Sequence, residues 1–125
     1  MNNTTMVGAK GEAKVISELT DRGWAVAKPL LDLGVDLLAC KVNEGTIKMV
    51  AIQVKTLETP SHHRGTCYGY GFQKSKIIDG IYYVIACPTI QEYVILKSEQ
   101  IRRKTHWHKE QPEWDSFKNQ WDLIC

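Results

Sequence analysis

Residues 36–55 read DLLACKVNEGTIKMVAIQVK and are the most informative part of the chain. Two runs rich in Val, Ile, Leu and Ala flank the dipeptide Glu44-Gly45. A glycine at this position supplies the positive φ that a tight hairpin turn requires. The stretch therefore predicts a β-hairpin that carries polar groups where a buried sheet should be apolar.

The register of this hairpin brings polar side chains together. With a two-residue loop, Asn43 faces Thr46, and counting back along both strands places Asp36 directly opposite Gln53. Side chains alternate between the faces of a strand, so Lys55 shares the face of Gln53. Burying such groups costs several kcal/mol unless they are paired or hold a metal. The sequence therefore predicts a functional site at this end of the hairpin.

The length of 125 residues predicts one domain over residues 1–125, because one hydrophobic core suits a chain of this size. The net charge of +2 is too small to indicate nucleic-acid binding by itself. Basic clusters at residues 62–64 and 102–109 could follow phosphates, although a solvated charged surface explains either cluster equally well.

Nothing in the sequence suggests secretion or membrane insertion. The first ten residues lack the apolar segment of a signal peptide, and no apolar run approaches the roughly 20 residues that span a bilayer. The four cysteines lie far apart without a Cys-x-x-Cys pair, and zinc binding by them with His62 or His63 is disfavoured by the spacing. We expect a cytoplasmic protein in a reducing compartment.

The other elements complete an α/β pattern. The sequence predicts a helix over 7–22 that ends at Gly23, and strands over 24–28, 80–87 and 92–96. Residues 57–73 form the longest irregular stretch, and residues 74–79 fit either a helix or an extended segment. Two short helices follow: one capped by Ser98, and one opening at Pro112 with an aromatic stripe of Trp114, Phe117 and Trp121 that we expect to fill a core.

An acidic residue lies on the apolar stripe of the first predicted helix. Val15, Ile16 and Leu19 form this stripe, and Glu12 precedes Ile16 by one turn. A buried carboxylate would indicate function. The alternative is that Glu12 lies in the first turn, where the helix dipole favours an acid.

These motifs together resemble the PD-(D/E)XK nuclease superfamily. They are Gly8-x-x-Gly11-Glu12 on a first helix, Gly34-Val35-Asp36-Leu37 entering a strand, and Gln53-Val54-Lys55-Thr56 closing the next. Residues 8–56 carry the resemblance, which is greatest to small restriction-endonuclease-like and Holliday-junction-resolvase-like members. It implies a restriction-endonuclease-like core, with a mixed central β-sheet flanked by α-helices.

The resemblance also implies a Mg²⁺-dependent DNA endonuclease that hydrolyses phosphodiester bonds in duplex or branched DNA, with Mn²⁺ as a substitute. Asp36 and Gln53 would bind the cation, with Glu12 as support and the carbonyl of Val54 as a further oxygen ligand. Lys55 would orient the attacking water or stabilise its deprotonated form. Cutting both strands would need a homodimer or a higher symmetric oligomer.

Gln53 departs from the superfamily pattern, because an amide oxygen carries no charge and should bind a cation more weakly. Three alternatives stay open: an inactive nucleic-acid-binding module, a subunit of a larger DNA-processing complex, and an Asp36–Lys55 salt bridge in another fold. Seven residues are further candidates for DNA contact, with ordinary solvent exposure as the alternative for each: Lys10, Lys14, His62, His63, Arg64, Lys74 and Lys76. His62 and His63 could instead act as a general base.

Overall fold

A computed structural model describes residues 3–60 and 67–125. The helices are α1 (Asn3–Asp21), α2 (Ser98–Arg103) and α3 (Pro112–Phe117). The strands are β1 (Ala25–Ala27), β2 (Leu37–Asn43), β3 (Thr46–Thr56), β4 (Gly69–Gly71), β5 (Tyr82–Cys87), β6 (Glu92–Lys97) and β7 (His106–His108). Short 3-10 turns lie at Lys74–Lys76, Pro88–Ile90 and Trp121–Leu123.

The main sheet has five strands in the order β1-β2-β3-β5-β6. The strands β3 and β5 are parallel, and the other neighbouring pairs are antiparallel. The predicted α/β class with a mixed central sheet and flanking helices is therefore confirmed. No helix of the described residues is long and apolar enough to cross a membrane.

The hairpin has the predicted register. Asn43 pairs with Thr46, and Leu37 pairs with Ile52, which places Asp36 across from Gln53 at the open end. The turn residues Glu44 and Gly45 have φ values of 51° and 79°. Positive φ at both central residues is the conformation of a type I′ turn, whose twist matches that of the strands it joins.

Helix α1 is longer than predicted, since it begins at Asn3 rather than at residue 7. It ends near Gly23, whose φ of 89° is the left-handed conformation expected after a helix. The interpretation of Glu12 as a first-turn acid is wrong, because Glu12 lies near the middle of α1 and the dipole effect fades beyond the terminal turn. Val15 and Leu19 are fully buried against the sheet.

Two hydrophobic clusters cover the two faces of the main sheet. The first lies under α1 and includes Val15, Leu19, Ile52, Val54 and Trp121. The second lies on the opposite face and includes Tyr83, Ile85, Ile101, Trp107 and Trp114. Both faces are therefore packed along β5 and along the second half of β3, so a polar side chain there needs a local partner.

The aromatic stripe predicted for the last helix is divided between these clusters. Helix α3 ends at Phe117, and Asn119, with φ of 56°, redirects the chain. Trp114 and Phe117 consequently pack on the second cluster, whereas Trp121 lies in a 3-10 turn under α1. The prediction that these aromatics fill a core is confirmed, but the single-helix stripe is wrong.

Three local predictions need correction. The segment 57–73 contains β4, which pairs with β7 some 35 residues later in a second, two-stranded sheet. Residues 74–79 contain a 3-10 turn rather than a helix or strand. Ser98 does not cap α2, because its hydroxyl accepts a hydrogen bond from the N–H of Gly80 at 3.1 Å.

Candidate functional site

A compact loop positions Asp36 at the open end of the hairpin. The N–H of Gly34 donates to the Asp32 carboxylate at 3.2 Å, and Gly34 has a φ of 83°. This left-handed φ favours glycine, whereas the 2.7 Å contact that a Cβ would make with Cδ1 of Ile78 could be relieved by a shift of that side chain. Beyond the loop, the N–H of Asp36 donates to the carbonyl of Ile52 at 2.9 Å and continues the ladder of the hairpin.

The carboxylate of Asp36 is held by the neighbouring strand. It accepts a 2.7 Å hydrogen bond from the backbone N–H of Val54. Burial raises the pKa of Asp36, and the nearby Glu12 carboxylate raises it further. The hydrogen bond from Val54 and, more weakly, the charge of Lys55 lower the pKa. The net result is a raised pKa. A half-buried acid beside a second acid is an environment that a cation would stabilise.

The close approach of α1 to β3 brings Glu12 to this end of the sheet. A Cβ on Gly11 would lie 1.8 Å from Oγ1 of Thr56, so only glycine allows the helix to lie here. The adjacent Glu12 places Oε1 2.8 Å from Nζ of Lys28, and the side chain of Glu12 is 21% exposed. Among the described residues, this buried Oε1 has the ion pair but no hydrogen bond of good geometry.

The alternate residues of β3 point away from α1. Gln53 and Lys55 line a cavity of about 230 Å³ together with Tyr70 and Lys76. Nζ of Lys55 lies 5.8 Å from the centroid of the Tyr70 ring, a cation–π distance. Two ammonium groups, an amide and an aromatic ring therefore share one concave surface next to the end of the hairpin.

The geometry explains how residues from opposite faces of the sheet meet. Asp36 precedes the first paired residue of β2, so its carboxylate lies at the end of the layer rather than on one face. Glu12 approaches from the α1 side, and Lys55 approaches from the side of the second sheet. Both act on the pKa of Asp36. The structure thus brings Glu12 and Lys55, from opposite sides of the sheet, within electrostatic reach of Asp36, with Gln53 across from Asp36.

The other candidate DNA contacts are dispersed. Lys10 forms an exposed 2.9 Å ion pair with Glu58. Lys14 lines a different cavity, of about 320 Å³, beside Arg22 and Trp121. Lys76 borders the cavity of Gln53 and Lys55, and Lys74 belongs to the same 3-10 turn. The candidates His62, His63 and Arg64 lie outside the described residues.

Sequence reasoning missed two residues of this site. Lys28 follows β1, and the pairing of Ala27 with Leu38 places it beside the beginning of β2, next to Asp36. In the sequence, Lys28 is only a single basic residue after a short predicted strand, and no motif identifies it as part of a site. Tyr70 lies in a Gly-Tyr-Gly segment, a pattern that favours a close backbone approach, but the pairing of β4 with β7 is needed to place it over Lys55.

The oxygen donors at this site suit a hard cation that keeps much of its water. Among residues 3–60 and 67–125, no group of three or more His, Cys, Asp and Glu side chains could hold a metal. The donors available are the carboxylates of Glu12 and Asp36 and the amide oxygen of Gln53. Mg²⁺ is commonly bound by one or two carboxylates together with waters and substrate phosphate. The buried Oε1 of Glu12 and the raised pKa of Asp36 fit such an ion.

The chain matches no protein-family model and no curated protein sequence. Its structure is similar to the solved structure of a bacterial homing endonuclease, I-Ssp6803I, with a TM-score of 0.78 and 23% sequence identity. The match covers 99% of this chain and 92% of that chain. At this identity the likeness shows the fold, and the fold of this chain is endonuclease-like.

Proposed function

We propose that this protein is a divalent-cation-dependent DNA endonuclease with a PD-(D/E)XK-type site. The observation that carries the proposal is the electrostatic convergence of Glu12 and Lys55 on Asp36, across from Gln53, at one end of the sheet. The endonuclease-like fold supports it, since a homing endonuclease shares the fold over nearly the whole chain. Fold alone does not define an activity, so the argument depends on these side chains.

Each residue has a role that follows from its position. Glu12, Asp36 and Gln53 would hold a Mg²⁺ or Mn²⁺ ion, with the carbonyl of Val54 as a further oxygen. The bound cation would supply Lewis-acid stabilisation of charge on the phosphoryl oxygens. The ammonium of Lys55 would orient the attacking water through a hydrogen bond, because it borders both the cavity and the Asp36 carboxylate.

The cavity beside the site suits the sugar–phosphate backbone of DNA. Its lining carries the ammonium groups of Lys55 and Lys76 and the amide of Gln73. Lysine and amide groups are typical phosphate contacts, and such contacts position DNA without reading its sequence. We therefore place the phosphate next to the scissile bond near Lys76, in duplex or branched DNA. Lys10, Lys14 and Lys74 would contribute only long-range attraction.

A single site of this kind cuts one strand. Cleavage of both strands would require two sites related by symmetry, so we propose a homodimer or a higher symmetric oligomer. Sedimentation equilibrium of the full chain, with and without duplex DNA, tests this. A monomer that nicks only one strand would contradict the proposed oligomer but not the proposed nuclease site.

A second function is favoured by Gln53, which leaves the site with one carboxylate fewer than the superfamily pattern. In this alternative the protein binds nucleic acid without cutting it, alone or as a subunit of a larger DNA-processing complex. The prediction then is salt-sensitive DNA binding that does not depend on Mg²⁺.

One experiment separates the two functions. Purified protein is incubated with supercoiled plasmid, linear duplex and four-way-junction DNA in Mg²⁺, in Mn²⁺ and in EDTA. Cation-dependent nicking or cutting that is lost in Asp36→Asn and Lys55→Met, and kept in the control Lys48→Met on the distant part of β3, supports the endonuclease. DNA binding without cleavage in either cation supports the binding module.

A further inference from the structure

The lysine that follows β1 occupies an unusual position. Nζ of Lys28 lies 2.8 Å from Oε1 of Glu12, although the Lys28 side chain is 61% exposed and its own strand is at the edge of the sheet. The buried oxygen that it contacts has no hydrogen bond of good geometry from the described residues, a condition it shares with Oγ1 of Thr56. The ammonium is thus the group that neutralises this oxygen.

The second carboxylate of the site, that of Asp36, also acts on this ammonium. The pKa of Lys28 is raised, chiefly by its contact with Glu12 and to a smaller extent by the charge of Asp36. The strand pairing explains this, because Ala27 faces Leu38 and the next residue therefore lies beside the beginning of β2. Lys28 consequently neutralises Glu12, and it lies close enough to Asp36 for that carboxylate to favour the charged ammonium slightly.

We propose that Lys28 is an exchangeable counter-ion of the site, which pairs with Glu12 until a divalent cation binds, after which its side chain moves away and its ammonium contacts a phosphate of the DNA. The inference rests on the proposed function, since it requires the cation and the DNA to meet at these residues. A cation held by Glu12 and Asp36 would repel a neighbouring ammonium, because like charges this close oppose one another. The exposed, flexible side chain of Lys28 can move toward solvent, where a phosphate of the DNA other than the one near Lys76 would lie.

The exchange predicts opposite effects of one variant on two ligands. In Lys28→Gln the competing charge is absent, so Mn²⁺ alone should bind about tenfold more tightly, as measured by isothermal titration calorimetry without DNA. In the same variant, duplex DNA should bind about three- to tenfold more weakly in Ca²⁺, with a salt slope lower by about 1. In EDTA, where Lys28 is already paired with Glu12, the DNA affinity should change less than twofold.

Two control variants separate charge from position. Lys28→Arg keeps the positive charge and should bind Mn²⁺ within about threefold of wild type. Lys48→Gln removes the same charge from β3 about five residues from Gln53, roughly 17 Å along the strand. At 0.15 M salt this exceeds the Debye length of about 8 Å, so its Mn²⁺ affinity should not change. Thermal unfolding of each variant without cation verifies that the fold is retained.

The results distinguish this inference from the proposed function. Unchanged or weaker Mn²⁺ binding in Lys28→Gln, with binding still lost in Asp36→Asn, would overturn the counter-ion role and leave the cation site in place. An equal loss of DNA affinity in Ca²⁺ and in EDTA would also overturn it, because Lys28 would then be a constant phosphate contact. If neither wild type nor Lys28→Gln binds Mn²⁺, the proposed cation site and the exchange are both wrong.

Discussion

The backbone N–H of Val54 donates a 2.7 Å hydrogen bond to the carboxylate of Asp36, across the open end of the hairpin. This bond joins the residue before β2 to a buried residue of β3. It directs one carboxylate oxygen into the sheet, so the cation would bind an acid whose orientation is already set. Asp36 therefore has a structural role as well as the proposed catalytic one, and the two can be separated.

We predict that Asp36→Asn abolishes cleavage without destabilising the fold. Asparagine keeps an oxygen that can accept from Val54. Because the pKa of Asp36 is raised in the fold, ionisation opposes folding once the pH rises above the ordinary aspartate pKa of 3.8. Removing the charge should therefore leave stability equal or higher at pH 7 without divalent cations. Urea unfolding measures this.

The control is Asp36→Ala, which leaves the buried N–H of Val54 without its acceptor. It should lower the free energy of unfolding by about 1–3 kcal/mol. Mn²⁺ should raise the melting temperature of wild type and of neither variant, since a ligand stabilises only a state that binds it. If both variants lose the same stability, the structural role assigned to the hydrogen bond is wrong.

We predict that Gln53→Glu increases cation affinity. The substitution adds a negative charge across from Asp36 at almost unchanged size, and hard cations prefer carboxylate oxygens. We expect about tenfold tighter Mg²⁺ binding by calorimetry and faster cleavage when Mg²⁺ is limiting. Gln73→Glu is the matched control, because it adds the same charge to the lining of the same cavity. Equal gains in both variants would indicate a general charge effect rather than a ligand at residue 53.

We predict opposite effects for two glycine substitutions on α1. In Gly11→Ala the new Cβ would lie 1.8 Å from Oγ1 of Thr56, so the helix must shift, at a cost of about 1–3 kcal/mol. In Gly8→Ala nothing lies within 4 Å of the new Cβ, and the better helix propensity of alanine should add up to about 1 kcal/mol. Urea unfolding compares the two variants.

Gly11→Ala should also weaken Mn²⁺ binding, because the shift would move Glu12 away from Asp36. Gly8→Ala should bind Mn²⁺ like wild type. If Gly11→Ala is destabilised but binds Mn²⁺ as tightly as wild type, the close approach of Gly11 to Thr56 is not what positions Glu12.

The predictable part of this fold is local in sequence. The Glu44-Gly45 turn sets the register that places Asp36 across from Gln53, and the 3.6-residue period of α1 identifies Val15 and Leu19 as core. These features depend on neighbours along the chain. The turn chemistry and the periodic pattern therefore carry enough information to predict them.

The features that were missed depend on contacts distant in sequence. The pairing of β4 with β7 places Tyr70 over Lys55, and neither three-residue strand has a pattern long enough to be recognised. Lys28 belongs to the site only because β1 pairs with β2 in one particular register. Trp121 leaves the predicted stripe because the chain turns at Asn119. Short motifs cannot encode such placements.

The last prediction concerns an acid that supports the fold far from the candidate site. Glu92, at the beginning of β6, accepts hydrogen bonds from Lys109 at 2.6 Å and from the indole of Trp114 at 2.8 Å. Burial alone would raise the pKa of Glu92, but these two hydrogen bonds and the charge of Lys109 outweigh it, and the pKa is lowered. An acid with a lowered pKa stabilises the fold above its unfolded pKa of about 4.5 and loses that contribution as the pH falls through the folded pKa.

Glu92→Gln should therefore cost about 1–2 kcal/mol at pH 7, where the ionised carboxylate makes both hydrogen bonds. The difference from wild type should shrink as the pH falls below about 4.5 and vanish once Glu92 is protonated in the fold. Urea unfolding between pH 7 and pH 3 measures it. Glu113→Gln is the control, because its ion pair with Lys104 joins two side chains that are 49% and 31% exposed, and it should not change stability measurably. A pH-independent cost in Glu92→Gln would show that the side chain acts through packing rather than through its charge.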